Sequence, residues 1–197
     1  MVELVTVVGM IMVLVGMAVM STMSSTYASK ANDAMFEVIT QFRTAREIAV
    51  SKRRNVLVAF TAPNQIQLTV ETLPGETPAA AIAPVFLNDG VTGGNIFYVY
   101  PGLPDTPMGF GNATALDFAP ASGGTAGLSI MFTTSGSLVG TTASSGFNVV
   151  GNSNPVNATV FTGIAGKQNT ARAVTVMGTT GRVRSYSWTG SAWQEEQ

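Results

Sequence analysis

From Leu4 to Met20 the chain reads LVTVVGMIMVLVGMAVM, an almost wholly apolar run. As a helix it is about 26 Å long, just under the roughly 30 Å of a bilayer's hydrocarbon core, so it predicts a hydrophobic anchor. A cleaved signal peptide would carry a basic region before the run, but Met1-Val2-Glu3 precedes it and the first cation is Lys30. Gly9 and Gly16 weaken the helix, and the hydroxyl-rich segment from Ser21 to Thr26 competes for its backbone hydrogen bonds, which predicts a thinned or bent stretch there. Beyond it the pattern turns amphipathic. Ala31, Met35, Val38, Phe42, Ala45 and Ala49 recur at three- and four-residue steps, with Asp33, Glu37, Arg43, Glu47 and Lys52 largely off that stripe. Lys52-Arg53-Arg54 complement the carbonyl end of a helix and Asn55 is a suitable stop. The expected organisation is a long helix over 1–53, with an anchor at 4–20 and an amphipathic half at 27–53.

After Asn55 the period changes to that of strands, in VLVAF (56–60), QIQLTVETL (65–73), NIFYVYP (95–101), LSIMFT (128–133), FNVV (147–150), ARAVTVMG (171–178) and GRVRSYSW (181–188). Gly- and Pro-bearing stretches separate them, and no repeat of 20–50 residues is present. A single helix followed by seven strands predicts an α+β chain in which the long helix, its first part a membrane anchor, packs on a C-terminal antiparallel β-sandwich-like head over 54–197.

Composition narrows the chemistry. Of the 197 residues 46% are hydrophobic and only 11% charged, below the roughly 25% of average soluble domains. A net charge of -1 supplies no global field to draw in nucleic acid or anionic lipid, so such binding would need a local patch. The chain has no Cys and no His, which removes thiol nucleophiles, the usual zinc sites and imidazole acid–base catalysis. Glu71, Glu76, Asp89, Asp105 and Asp117 scatter over the β region, and their spacing selects no acid–base pair. The expectation is a non-enzyme with no catalytic residues, no metal and no cofactor.

Two polar features carry more information. Glu3 stands beside the apolar run, where an ionised carboxylate is costly unless it lies at an interface or finds a partner; the helix dipole alone also favours an acid in a first turn. In Gly181-Arg182-Val183-Arg184, strand alternation sends both arginines to one face, where they form either a clamp for two phosphates or a solvated face paired with Glu195 and Glu196. Asn112-Ala113-Thr114 and Asn157-Ala158-Thr159 match the glycan-acceptor pattern, making Asn112 and Asn157 candidate glycosylation sites.

The start, a glutamate followed by a long aliphatic helix without a cation, resembles the mature N-terminus of type IV pilins and pseudopilins. Further along, Ala45-Arg46-Glu47-Ile48-Ala49, Arg53-Arg54-Asn55-Val56, Ile130-Met131-Phe132 with Gly136, Arg172-Ala173-Val174-Thr175-Val176 and Gly181-Arg182-Val183-Arg184 resemble the GspH/FimT branch of pseudopilins. The resemblance implies that Glu3 pairs with the N-terminal amine of a neighbouring subunit. It also implies an inner-membrane single-pass precursor processed by a prepilin peptidase and handled by pilus or secretion assembly machinery. In that family the glutamate is the fifth residue after an aromatic first residue, so two residues are expected before Met1. The helix-kinking proline of major pilins is missing, since the first proline is Pro63.

The expected function is a structural subunit of a type IV pilus-like, cell-surface or extracellular filament, a helical homo-oligomer assembled through its N-terminal helix. The alternative is a minor pilin or pseudopilin of a type II secretion or DNA-uptake system, in which Arg182 and Arg184 would contact nucleic acid.

Overall fold

The computed structural model describes residues 2–72, 80–87, 95–119, 129–141 and 155–196, with the side chains of 18–24, 80, 117–119 and 129 left aside. Helix α1 (Val2–Lys52) begins with Glu3 in its first turn and ends with Lys52 in its last. Arg53 follows in a left-handed conformation, φ 51°, so the chain leaves the helix there.

Eleven strands follow among the described residues: β1 (Val56–Thr61), β2 (Gln65–Val70), β3 (Ala80–Ala81), β4 (Val85–Phe86), β5 (Leu116–Ala119), β6 (Ser129–Phe132), β7 (Leu138–Gly140), β8 (Asn157–Ile164), β9 (Lys167–Met177), β10 (Arg182–Trp188) and β11 (Trp193–Glu196). They form two antiparallel sheets. The first has the order β3-β2-β1-β6-β7, with β4 also on β2, and the second runs β11-β10-β9-β8-β5.

These sheets correct the expected architecture. They make up most of the described fold, and the chain is not a long helix packed on a finished sandwich head. Residues 25–52 of α1 contact both sheets, through β1, β2 and β6 on one side and β8, β9 and β10 on the other. Met35, Val38 and Phe42 share one buried cluster with Val58, Phe60, Ile66 and Leu68 of the first sheet and Val160, Val174 and Val176 of the second. The physical reason is mutual need. Neither sheet can bury its inner face alone, and the small residues Ala31, Ala45 and Ala49, fully buried, let the helix backbone approach closely. Phe42 meets Phe60 and Phe132 edge-on at centroid distances of 6.0 and 6.3 Å.

The first part of α1 is different: residues 2–17 are exposed at every position. Among the described residues no helix is long and apolar enough to cross a membrane. The apolar run expected as an anchor continues past residue 17 into the stretch whose side chains are not described, as does most of the hydroxyl-rich segment expected to loosen the helix.

Strand by strand, VLVAF and QIQLTV alternate buried and half-buried positions as a one-sided sheet requires. NIFYVYP is corrected. It forms only an isolated bridge, Phe97 to Thr162; Ile96 and Phe97 join the main core, while the residues from Val99 onward cover the outer face of the second sheet. There Val99 and Met108 pack with Phe161, Ala173 and Tyr186, while Leu103 and Tyr100 pack with Ala171 and Trp188. The Tyr100 hydroxyl donates to the Ile164 carbonyl and accepts from the Lys167 amide, closing the β8–β9 turn. β8 and β9 are therefore covered on both faces. FNVV, expected as a strand, lies outside the described residues.

Candidate functional site

Two regions place chemistry on the surface. The first is the exposed start of α1. Its twelve large apolar side chains, from Val2 through Met17, surround the helix on every side, each at least 42% exposed. A helix that is apolar all round is, in other settings, a buried helix. Glu3 is exposed near the start of the helix, and the Thr6 hydroxyl donates to its backbone carbonyl at 2.8 Å.

The second region is an open groove of about 660 Å³ where the last turns of α1 meet the β9–β10 turn. Arg43, Arg46, Glu47, Val50 and Ser51 line it from the helix, and Gly181, Arg182 and Val183 from the sheet. Glycines set its shape. Gly181 has φ +64°, and a Cβ there would stand 2.3 Å from the Gly136 carbonyl oxygen and 2.7 Å from Arg46. The turn between β6 and β7 can thus touch the turn between β9 and β10 only because Gly181 has no side chain. Arg46 Nε donates to that same Gly136 oxygen at 3.4 Å, a long bond that ties the helix to the β6–β7 turn.

Arg182 and Arg184 occupy alternate positions of β10, opposite Met177 and Thr175. They share a face, but their surroundings differ. Arg182 is exposed at the groove. Arg184 Nη1 lies 3.2 Å from Glu195 Oε2 on β11, where the register sets Glu195 opposite Tyr186 and so diagonally across from Arg184. A carboxylate therefore already sits on one of the two guanidiniums.

Sequence reasoning placed Arg43 off the buried stripe and noted Arg46 only within the family-like pattern, joining neither to Arg182. Nothing local could have done so, because the three meet only through the docking of α1 on the second sheet. Arg172, noted only as part of the family-like pattern, is buried. It donates from Nε to Asn32 Oδ1 at 2.7 Å and from Nη1 to the carbonyls of Asn169 and Ala171. Burial holds its guanidinium below the usual arginine pKa, with Glu196 partly opposing the shift.

The remaining candidates are dispersed. Glu71 accepts from Asn55 at 2.6 Å across the open end of the β1–β2 pair, and Asp105 accepts from the amides of Thr106 and Gly111 in its own loop. Glu76 and Asp89 lie outside the described residues, as does the side chain of Asp117. Among the described residues no group of three or more acidic side chains is placed to hold a metal ion. Asn112 is half-buried and its Nδ2 donates to the Leu103 carbonyl, while Asn157 Oδ1 accepts from the Gly178 amide at the start of β8. Compared with known proteins, the chain matches no family model, no curated protein and no solved structure.

Proposed function

We propose that this protein is a structural subunit of a filament, a homo-oligomer in which copies bury the start of α1 against one another. The observation that carries the reading is the all-round apolar surface of residues 2–17. Fully burying an aliphatic side chain is worth about 1.5–3 kcal/mol. Covering half of the twelve would contribute about 9–18 kcal/mol, comparable with or above the roughly 4–15 kcal/mol cost of immobilising a subunit. A compact body carrying one protruding apolar helix suits assembly around a shared helical core. Glu3, at the tip, would then need a cationic partner from a neighbouring copy, since an unpaired carboxylate in a dry core is strongly unfavourable. A pilus-like extracellular filament with a membrane-held precursor is the form of this function that the type IV pilin resemblance implies.

Negative-stain electron microscopy of the purified full chain tests the reading. Long homopolymers are expected; dispersed single particles at every concentration would remove it.

A minor subunit that contacts DNA is a second reading, favoured by the three guanidiniums of Arg43, Arg46 and Arg182 around one groove. The Glu195 carboxylate on Arg184 weighs against it, because the motif then offers one open cation instead of two.

A further inference from the structure

The outer side of α1 presents an exposed aromatic, Phe36, close to an acid, Asp33, while the groove further along the helix offers apolar surface with a cationic rim. Phe36 stands on the outer side of α1 and is 51% exposed. Asp33, one turn before it, is exposed and has no ion-pair partner among the described residues. Further along the same helix, the groove offers Val50, 47% exposed, and Val183 as apolar surface. Its rim carries the guanidiniums of Arg43, Arg46 and Arg182 against the single carboxylate of Glu47.

We infer that the groove is the docking site for a second copy of this chain, which inserts Phe36 and sets Asp33 against Arg43. The inference rests on the self-assembly reading and specifies how neighbouring copies meet beyond the apolar segment. One axial step brings both contacts level, with the second copy turned about the filament axis so that its outer side faces the groove. Sliding a parallel copy by ten residues along the helix, about 15 Å at 1.5 Å per residue, carries Asp33 to the level of Arg43 and Phe36 to the level of Arg46. Phe36 then reaches the apolar surface beside Val50 with a guanidinium over its ring, a favourable cation–π arrangement. Asp33 brings a carboxylate to a rim with excess positive charge.

The contact is head-to-tail, since the patch given by one copy differs from the patch it receives. Interfaces of that type propagate into open helical filaments when the rotation does not close a ring. Gly181, which lines the groove, is packed closely against the Gly136 carbonyl within the single chain.

The chain has no cysteine, so one introduced pair reports one contact. Full chains carrying Asp33→Cys with Arg43→Cys are assembled, oxidised and run on non-reducing gels. A ladder of linked subunits is expected, and none from Asp33→Cys with Lys52→Cys, since a nine-residue displacement leaves the thiols far beyond the roughly 7 Å Cα limit of a disulfide. The charge exchange is an independent check: Asp33→Arg and Arg43→Asp should each reduce filament yield several-fold, and the double exchange should restore it. Filaments with no Asp33–Arg43 ladder, or with yield unrestored in the double exchange, would overturn the docking while leaving self-assembly standing. Duplex DNA retained by intact wild-type filaments and lost with Arg43→Asp would also overturn it, by showing an open groove. A wild-type chain that forms no filaments would overturn both.

Discussion

Arg172 on β9 donates through Nε to Asn32 on α1 at 2.7 Å, a bond between residues 140 positions apart that ties the helix to the second sheet. Above it, the Lys167 ammonium lies 4.1 Å from the centroid of the Tyr27 ring, a second polar link near the point where the helix leaves the body. Removing the guanidinium leaves the carbonyls of Asn169 and Ala171 and the Asn32 amide without their donor. Arg172→Ala is expected to destabilise the fold by about 2–4 kcal/mol, and Asn32→Ala by about 1 kcal/mol. Urea unfolding followed by tryptophan fluorescence measures both.

The same guanidinium makes a pH prediction. Burial lowers its pKa in the folded state below the unfolded value, so the unfolded chain binds this proton more tightly. The contribution to stability therefore rises with pH, but only in the strongly alkaline window below the unfolded arginine pKa. Around neutrality the group is charged in both states, and urea midpoints of the wild type and Arg172→Lys should change in parallel there.

Gly181→Ala is expected to be severe. The new Cβ would meet the Gly136 carbonyl at 2.3 Å in a backbone with positive φ, so the two turns must separate. A loss above about 2 kcal/mol is expected, from overpacking and left-handed strain together. Gly190→Ala supplies the contrast. Its φ is +98° but nothing lies within 4 Å of the added Cβ, so only the backbone term of about 1 kcal/mol applies. Thermal unfolding of the two variants separates the steric from the conformational part.

Arg182→Ala with Arg184→Ala is expected to leave DNA retention at background. The ion pair it breaks, with side chains 29% and 44% exposed, is worth about 0–1 kcal/mol, so the fold should persist. Salt-sensitive DNA binding by the wild type, lost in this double variant, would favour the minor-subunit reading instead, since each lost phosphate contact releases about one condensed counterion fewer.

What the sequence disclosed follows from how its faces are used. β1 and β2 have one buried face, so VLVAF and QIQLTV display their alternation plainly. β8 does not, because both its faces are covered and Thr159 and Thr162 are buried among Ala158, Val160 and Phe161; NATVFTGI shows no period and was not among the expected strands. NIFYVYP misled in the opposite direction. Its alternating aromatics suit a strand, yet Tyr98 and Tyr100 face each other edge-on at 4.8 Å in a covering segment. The stripe from Ala31 to Ala49 was legible as a buried face, but not that two sheets would share it, since pairing between sheets is set by contacts far apart in sequence. The groove was hidden for the same reason.

Glu3→Gln probes the tip of the helix. It removes the charge while keeping shape, and the side chain is far from the β sheets, so circular dichroism should match the wild type. Filament yield should fall if the carboxylate pairs across subunits; equal yield and length would remove that role.

The central claim is that residues 2–17 are covered by other copies of the chain. Sedimentation velocity across a concentration series, on the wild type and on Leu14→Asp, tests it most directly, because Leu14 is exposed and its replacement leaves the buried core untouched. The account predicts a wild-type mass that grows with concentration and a variant that stays monomeric with an unchanged circular dichroism spectrum. A wild type that remains monomeric at every concentration, or a Leu14→Asp chain that assembles equally well, would contradict it.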